Sequence, residues 1–104
     1  MDILNHKSES LLSISASHGH EKVVQWLVMK KAALNHRTSE NCTPLFLASM
    51  KGHHEIVKFL LKSKADPLIC RMPDNASPVW IASCNGHLKV VETLAKSLNK
   101  QKLK

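Results

Sequence analysis

The chain has 104 residues, 15 Lys plus Arg against 8 Asp plus Glu, a formal net charge of +7 and 43% hydrophobic content. That balance leads to the expectation of one small soluble domain over residues 1–104, not a disordered tail or several domains within this length, although a core of this size forms with little margin. There is no unbroken apolar run of about 18 residues, Met1 to Lys7 lacks a leader layout, and Cys42, Cys70 and Cys84 are odd in number without Cys-x-x-Cys spacing; the expectation is a reduced intracellular protein, cytoplasmic or nuclear, without membrane insertion.

In chain order, the first predicted element is a short helix over Ser10-Leu11-Leu12-Ser13-Ile14-Ser15-Ala16, with Ser10 as its N-cap. Gly19-His20 follows, then Val23-Val24-x-x-Leu27-Val28, whose spacing puts four apolar side chains on one face of a second helix. The order returns after 33 residues as Thr43-Pro44-Leu45-Phe46-Leu47-Ala48-Ser49, Gly52-His53 and Ile56-Val57-x-x-Leu60-Leu61. It returns again after 34 as Ser77-Pro78-Val79-Trp80-Ile81-Ala82-Ser83, Gly86-His87 and Val90-Val91-x-x-Leu94-Ala95. Thr43 and Ser77 suit the N-cap, and Pro44 and Pro78 suit the first helical position, where no N–H is needed. Each glycine can take positive φ, so it ends one helix and turns the chain into the next. Recurrence at this period means stacked helix pairs with a shared core, predicted to comprise Leu12, Ala16, Val24, Leu27, Leu45, Ala48, Val57, Leu60, Val79, Ala82, Val91 and Leu94.

The Thr-Pro-Leu-x-Leu-Ala-x-x-x-Gly-His layout of the middle unit, its counterparts on either side and the downstream Ala65-Asp66 closely resemble the ankyrin repeat, from about Ser8 to about Asn99. The resemblance implies an all-α solenoid of three helix–turn–helix units, about 8–37, 38–71 and 72–104, joined by hairpin-like links standing perpendicular to the helices. Departures from the family pattern set further expectations. The glycine that usually ends the second helix is Lys31, Lys64 and Leu98, and a non-Gly residue at positive φ costs roughly 1 kcal/mol, so those ends should fray or shift. The histidine after Thr-Pro-Leu is Ser13, Phe46 and Trp80; stacking of Phe46 on Trp80 is the expected substitute. His20, His53 and His87 are expected to satisfy backbone groups within their own units, and His18 and His54 to be exposed. The serines Ser8, Ser10, Ser13, Ser15 and Ser17 are expected to form a water-facing cap on the first unit, as Lys96 to Lys104 should on the last. The second link holds Pro67 and Pro73 and is expected to bulge at its tip. Leu4-Asn5-His6 echoes Leu34-Asn35-His36, which leaves both a short complete protein and a slice of a longer array open.

Chemistry is sparse. There is no Gly-x-Ser-x-Gly elbow, no acid–histidine pair in a recognisable motif, and no Gly-rich phosphate loop, so neither an enzyme nor a cofactor site is expected. His18, His20, His53, His54, Cys42 and Cys84 lack a four-ligand zinc pattern, so no metal is expected either. Asn41-Cys42-Thr43 and Asn75-Ala76-Ser77 match the glycosylation acceptor but read better as a turn at positive φ followed by a cap. The resemblance implies a non-catalytic, monomeric binding module whose partner, another protein or peptide, meets the hairpin tips and the concave face of the first helices. Mapped onto this chain, that surface is Lys7, Glu9, Ser17, His18, Ser39, Glu40, Cys42, Met50, Lys51, Asp74, Ala76, Cys84 and Asn85. Mixed charge around Met50 suits a protein partner, and Glu40 with Asp74 should steer a basic segment towards the tips. Lysines near the ends of the second helices complement the helix dipole. The competing readings are a basic second-helix surface (Lys62, Lys64, Lys100, Lys102) for nucleic acid or an anionic membrane, and a regulatory repeat segment of a larger enzyme.

Overall fold

The computed structural model describes residues 10–71 and 74–102, with side chains described as far as Lys100. Six helices lie among them: α1 (Leu11–His18), α2 (Glu21–Met29), α3 (Pro44–Lys51), α4 (His54–Lys62), α5 (Pro78–Cys84) and α6 (Leu88–Lys102). They form three pairs. The first helices stack in one layer, α1 on α3 on α5, and the second helices in another, α2 on α4 on α6. In the second link Arg71 pairs with Ala76 in an antiparallel bridge.

Local chemistry sets the helix boundaries. The hydroxyl oxygens of Ser10, Thr43 and Ser77 accept from the N–H groups of Ser13, Phe46 and Trp80, and each satisfies a donor that a helix start leaves orphaned. Gly19 and Gly52, both at φ 78°, close α1 and α3. At the other ends, Lys31 (φ 69°) and Lys64 (φ 79°) do occupy the left-handed region. Lys31 N–H donates to Val28 O and Ala32 N–H to Leu27 O; Lys64 and Ala65 repeat this on Leu61 and Leu60. These paired bonds satisfy the terminal carbonyls, and Ala32 and Ala65 are buried beside them, so the strain is offset and the ends do not fray. The third unit differs: α6 runs straight through Leu98. Its Lys96 to Lys102 stretch has neither Gly nor Pro, and most of its residues favour helix.

Ten of the twelve expected core residues are buried, and Val79 and Val91 are partly buried against them. Ile56, Val90, Ala32 and Ala65 extend this core. A second, smaller cluster joins the links to α3: Cys42, Phe46, Leu47 and Ala76, with Met50 and Ile81 packed on it.

Two further expectations fail. Ser10, Ser13 and Ser15 are buried and form no water-facing cap, because they share the packed side of α1 with Leu12 and Ala16; Ser10 and Ser13 bond each other at 3.1 Å. Solvent instead meets Val23, Trp26 and Met29 on α2, and Ser8 lies outside the described residues. Phe46 and Trp80 do not stack. Phe46 is covered by the Arg71 guanidinium at 5.0 Å from its ring, while Trp80 is half exposed. A cation over the ring face supplies a contact that residue type alone did not suggest.

Leu60 is fully buried at the centre of the middle pair. Leu60→Ala should therefore cost about 2–5 kcal/mol in urea unfolding followed by circular dichroism; a cost typical of an exposed site, under about 0.5 kcal/mol, would mean that the pairs do not share this core.

Candidate functional site

The surface in question lies where α1, α3 and α5 end and where the links turn. Its backbone is set by histidines. His53 Nε2 lies 3.0 Å from Ser17 O, and His87 Nε2 lies 3.0 Å from Met50 O. Because a carbonyl only accepts, each ring must carry its proton on Nε2. Each bond reaches back to the preceding pair, not within its own unit as expected, because the rings project across the stack. The rings also lie over the preceding pair's glycine: a Cβ on Gly19 would stand 2.9 Å from His53 Cε1, and one on Gly52 2.5 Å from His87 Nδ1. Glycine is needed there both for its φ and for the space. Asn85 Nδ2 donates to the same Met50 carbonyl at 3.0 Å, so this oxygen receives two bonds from the third unit.

This places Ser17 and His18, Met50 and Lys51, and Cys84 and Asn85 at equivalent positions of stacked helices. His18, Lys51, Cys84 and Asn85 are exposed, and Ser17 and Met50 are half-buried. At the first link's tip Ser39 and Glu40 are exposed, and Thr38 Oγ1 accepts from the N–H groups of Glu40 and Cys42, which closes the turn. Asn41 at φ 63° and Asn75 at φ 60° take the left-handed conformation expected of them. Lys7 and Glu9 lie outside the described residues.

Three of the mapped residues need correction. Cys42 and Ala76 are buried in the cluster around Phe46 and offer no contact area. Burial pushes the Cys42 thiol above its ordinary value, with Arg71 partly opposing it. Asp74 is exposed but is not a free charge, because its carboxylate accepts from Arg71 Nε at 3.2 Å and from Arg71 Nη2. These bonds hold the Asp74 carboxyl below its ordinary value. The pair's contribution to the tip is complete above the unfolded-state value and is lost as pH falls through the lowered folded-state one. The steering role expected of Asp74 therefore reduces to Glu40.

Sequence reading also missed residues. Asn35 Oδ1 accepts from Asp66 N–H at 3.0 Å, a tie between successive links, and Arg71 anchors the second link on Phe46. Arg71 has no counterpart in the other units and Asn35 is echoed only by Asn5, so the repeat gave neither a role. His54 is half-buried, not exposed: its Nε2 bonds Thr93 Oγ1 at 2.9 Å, between α4 and α6. Lys62, Lys64 and Lys100 line a groove on that side, and the Lys102 side chain lies outside the described residues.

Comparison with known proteins agrees with this geometry. A family model for ankyrin repeats, in three copies, matches residues 12–103. The chain belongs to the ankyrin-repeat family. Over 59 residues it is 41% identical to the ankyrin repeat and KH domain-containing protein mask-1 of Caenorhabditis elegans, covering 57% of this chain. It is also 41% identical, over 59 residues and 56% of the chain, to the Drosophila melanogaster ankyrin repeat and KH domain-containing protein mask. The match spans 2% of the length of each relative. Ankyrin repeats are in general non-catalytic modules that bind other proteins. No helix among the described residues is long and apolar enough to cross a membrane.

Two measurements check the site. Gly52→Ala and Gly86→Ala incur the same left-handed strain, roughly 1 kcal/mol, but an added Cβ at Gly86 meets nothing within 4 Å whereas at Gly52 it displaces the bonded His87 ring. Urea unfolding should rank Gly52→Ala as the costlier by about 1 kcal/mol, the worth of the lost bond; equal costs would remove the ring from its assigned place. In native alkylation, exposed Cys84 should react at least about tenfold faster than Cys42, whose thiol is buried and hard to ionise. The two should converge in denaturant, and equal native rates would return Cys42 to the surface.

Proposed function

We propose that this ankyrin-repeat chain is a non-catalytic interaction module that binds a segment of a partner protein along the ends of α1, α3 and α5 and the first link's tip. The supporting observation is the doubly bonded Met50 carbonyl. It means that the framework around a variable side chain is held before any partner arrives, so little ordering entropy is lost on binding. Ser17, Met50 and Cys84 differ in type at equivalent positions, while the histidine–carbonyl bond recurs beneath the first two. Specificity then resides in side chains and rigidity in the backbone. Met50, flexible and half-buried on the Phe46 cluster, is the apolar anchor, flanked by Lys51, Glu40, His18 and Asn85 as a polar rim.

Affinity capture from lysate, comparing wild type with Met50→Glu and Lys51→Glu, tests this. Partner proteins retained by wild type should be lost with Met50→Glu and weakened with Lys51→Glu. Half-burial of Met50 limits the stability cost to about 1 kcal/mol, a fall in melting temperature of roughly 4–8 °C. The partners that are lost with Met50→Glu should still be captured by Lys62→Glu with Lys64→Glu. Capture that ignores Met50 and depends on the two lysines would overturn the reading.

A further inference from the structure

The opposite side of the molecule holds a groove of about 1090 Å³ between α4, α6 and the second link. Five lysines line it: Lys58 and Lys62 on α4, Lys64 just after it, and Lys96 and Lys100 on α6. All five are exposed, and none forms an ion pair with a carboxylate among the described residues. The helix dipole explains only part of this. Its effect is confined to the last turn, which includes Lys62 and Lys100, whereas Lys58 sits mid-way along α4 and Lys96 lies more than a turn before the end of α6. On each helix the two lysines are four residues apart, so they form two parallel rows with a rise of about 6 Å between charges. Asp66 is the acidic residue in the lining, and its carboxylate already accepts the Leu68 N–H. The rest of the lining is mixed: Leu61 is half-buried and Leu68 62% exposed, beside the polar Asn35, Thr93 and Ser97.

We propose that this groove is a second docking site, distinct from the edge around Met50, and that its occupant is an acidic amphipathic helix of a partner protein. Charge complementarity selects the sign of the ligand, and the pattern selects its class. Carboxylates four residues apart on a helix repeat at the same spacing as each lysine row. An apolar stripe between them meets Leu68 and Leu61, the helix-in-groove mode of recognition. The volume admits about two to three turns of a helix roughly 10 Å across. A single-stranded nucleic acid is less well matched, since the described lining contains no Phe, Tyr, Trp or Arg side chain for bases to stack on, and its imidazole, His54, is held by Thr93. His54, bonded to Thr93 across the groove's end, holds α4 and α6 at the separation that keeps the rows apart.

Fluorescence anisotropy with the full 104-residue chain and a labelled helical peptide tests the proposal. The probe has leucines on one face, flanked by glutamates four residues apart, over about three turns. The chain should bind it in moderate salt. Replacing the glutamates by glutamine, or making Lys62→Glu with Lys96→Glu, should weaken binding by about tenfold or more, as expected for loss of complementary charge. Leu68→Ser, at an exposed site that leaves folding intact, should weaken it about threefold, and Met50→Glu should not change it. Circular dichroism confirms that each variant is folded. A poly-uridine strand of matched length and phosphatidylserine vesicles are run in parallel. The proposal is overturned if the peptide does not bind, if its binding ignores the lysine pair or Leu68, or if either phosphate ligand binds more tightly than the peptide and is lost with the same lysines.

Discussion

One contact recurs wherever two helix pairs meet: a histidine ring laid over the glycine that ends the preceding first helix, its Nε2–H donated to a carbonyl of that helix's last turn. Small helices of seven to nine residues could not hold their positions alone, since isolated helices shorter than about 12–15 residues are marginal in water. Burial of Leu45, Ala48, Val57 and Leu60 supplies most of the adhesion between pairs. The histidine supplies the register. It joins two backbones at a fixed point and requires a residue without a side chain beneath it.

That division explains how much of the fold was legible. Caps, glycine turns and ten core positions follow from residue type at fixed spacing, because each is a local requirement of a helix end or helix face. The direction in which His53 and His87 bond was not legible, since a period of 33 or 34 residues marks equivalent positions without saying which neighbouring unit a ring faces. Ser13 and Ser15 misled for a related reason. Serine is common at surfaces, yet it also fits a tight helix–helix contact when its hydroxyl finds a partner, as Ser13 does on Ser10.

The proposed contact surface was less legible than the fold. Residues at the ends of the first helices were located by the repeat, and His18, Lys51, Cys84 and Asn85 are indeed exposed. Those in the links were not. Arg71 draws the second link down onto Phe46, which buries Cys42 and Ala76 and neutralises Asp74. No repeat position predicts this, because it depends on one arginine meeting one aromatic ring. The lysines follow the same logic in reverse: scattered along the sequence as helix-end charges, they gather into two rows only once α4 and α6 are side by side.

The two faces thus differ in kind, one held by hydrogen bonds around a variable side chain, the other a field of lysines without carboxylate partners among the described residues, beside the exposed Leu68. Both depend on the pairs being locked in register by the histidines. Nitrogen-15 NMR of the imidazole rings tests that lock most directly. The account predicts that His53 and His87 each carry their proton on Nε2, with exchange of that proton slowed relative to exposed His18. Protons on Nδ1 in either ring, or exchange as fast as that of His18, would contradict it.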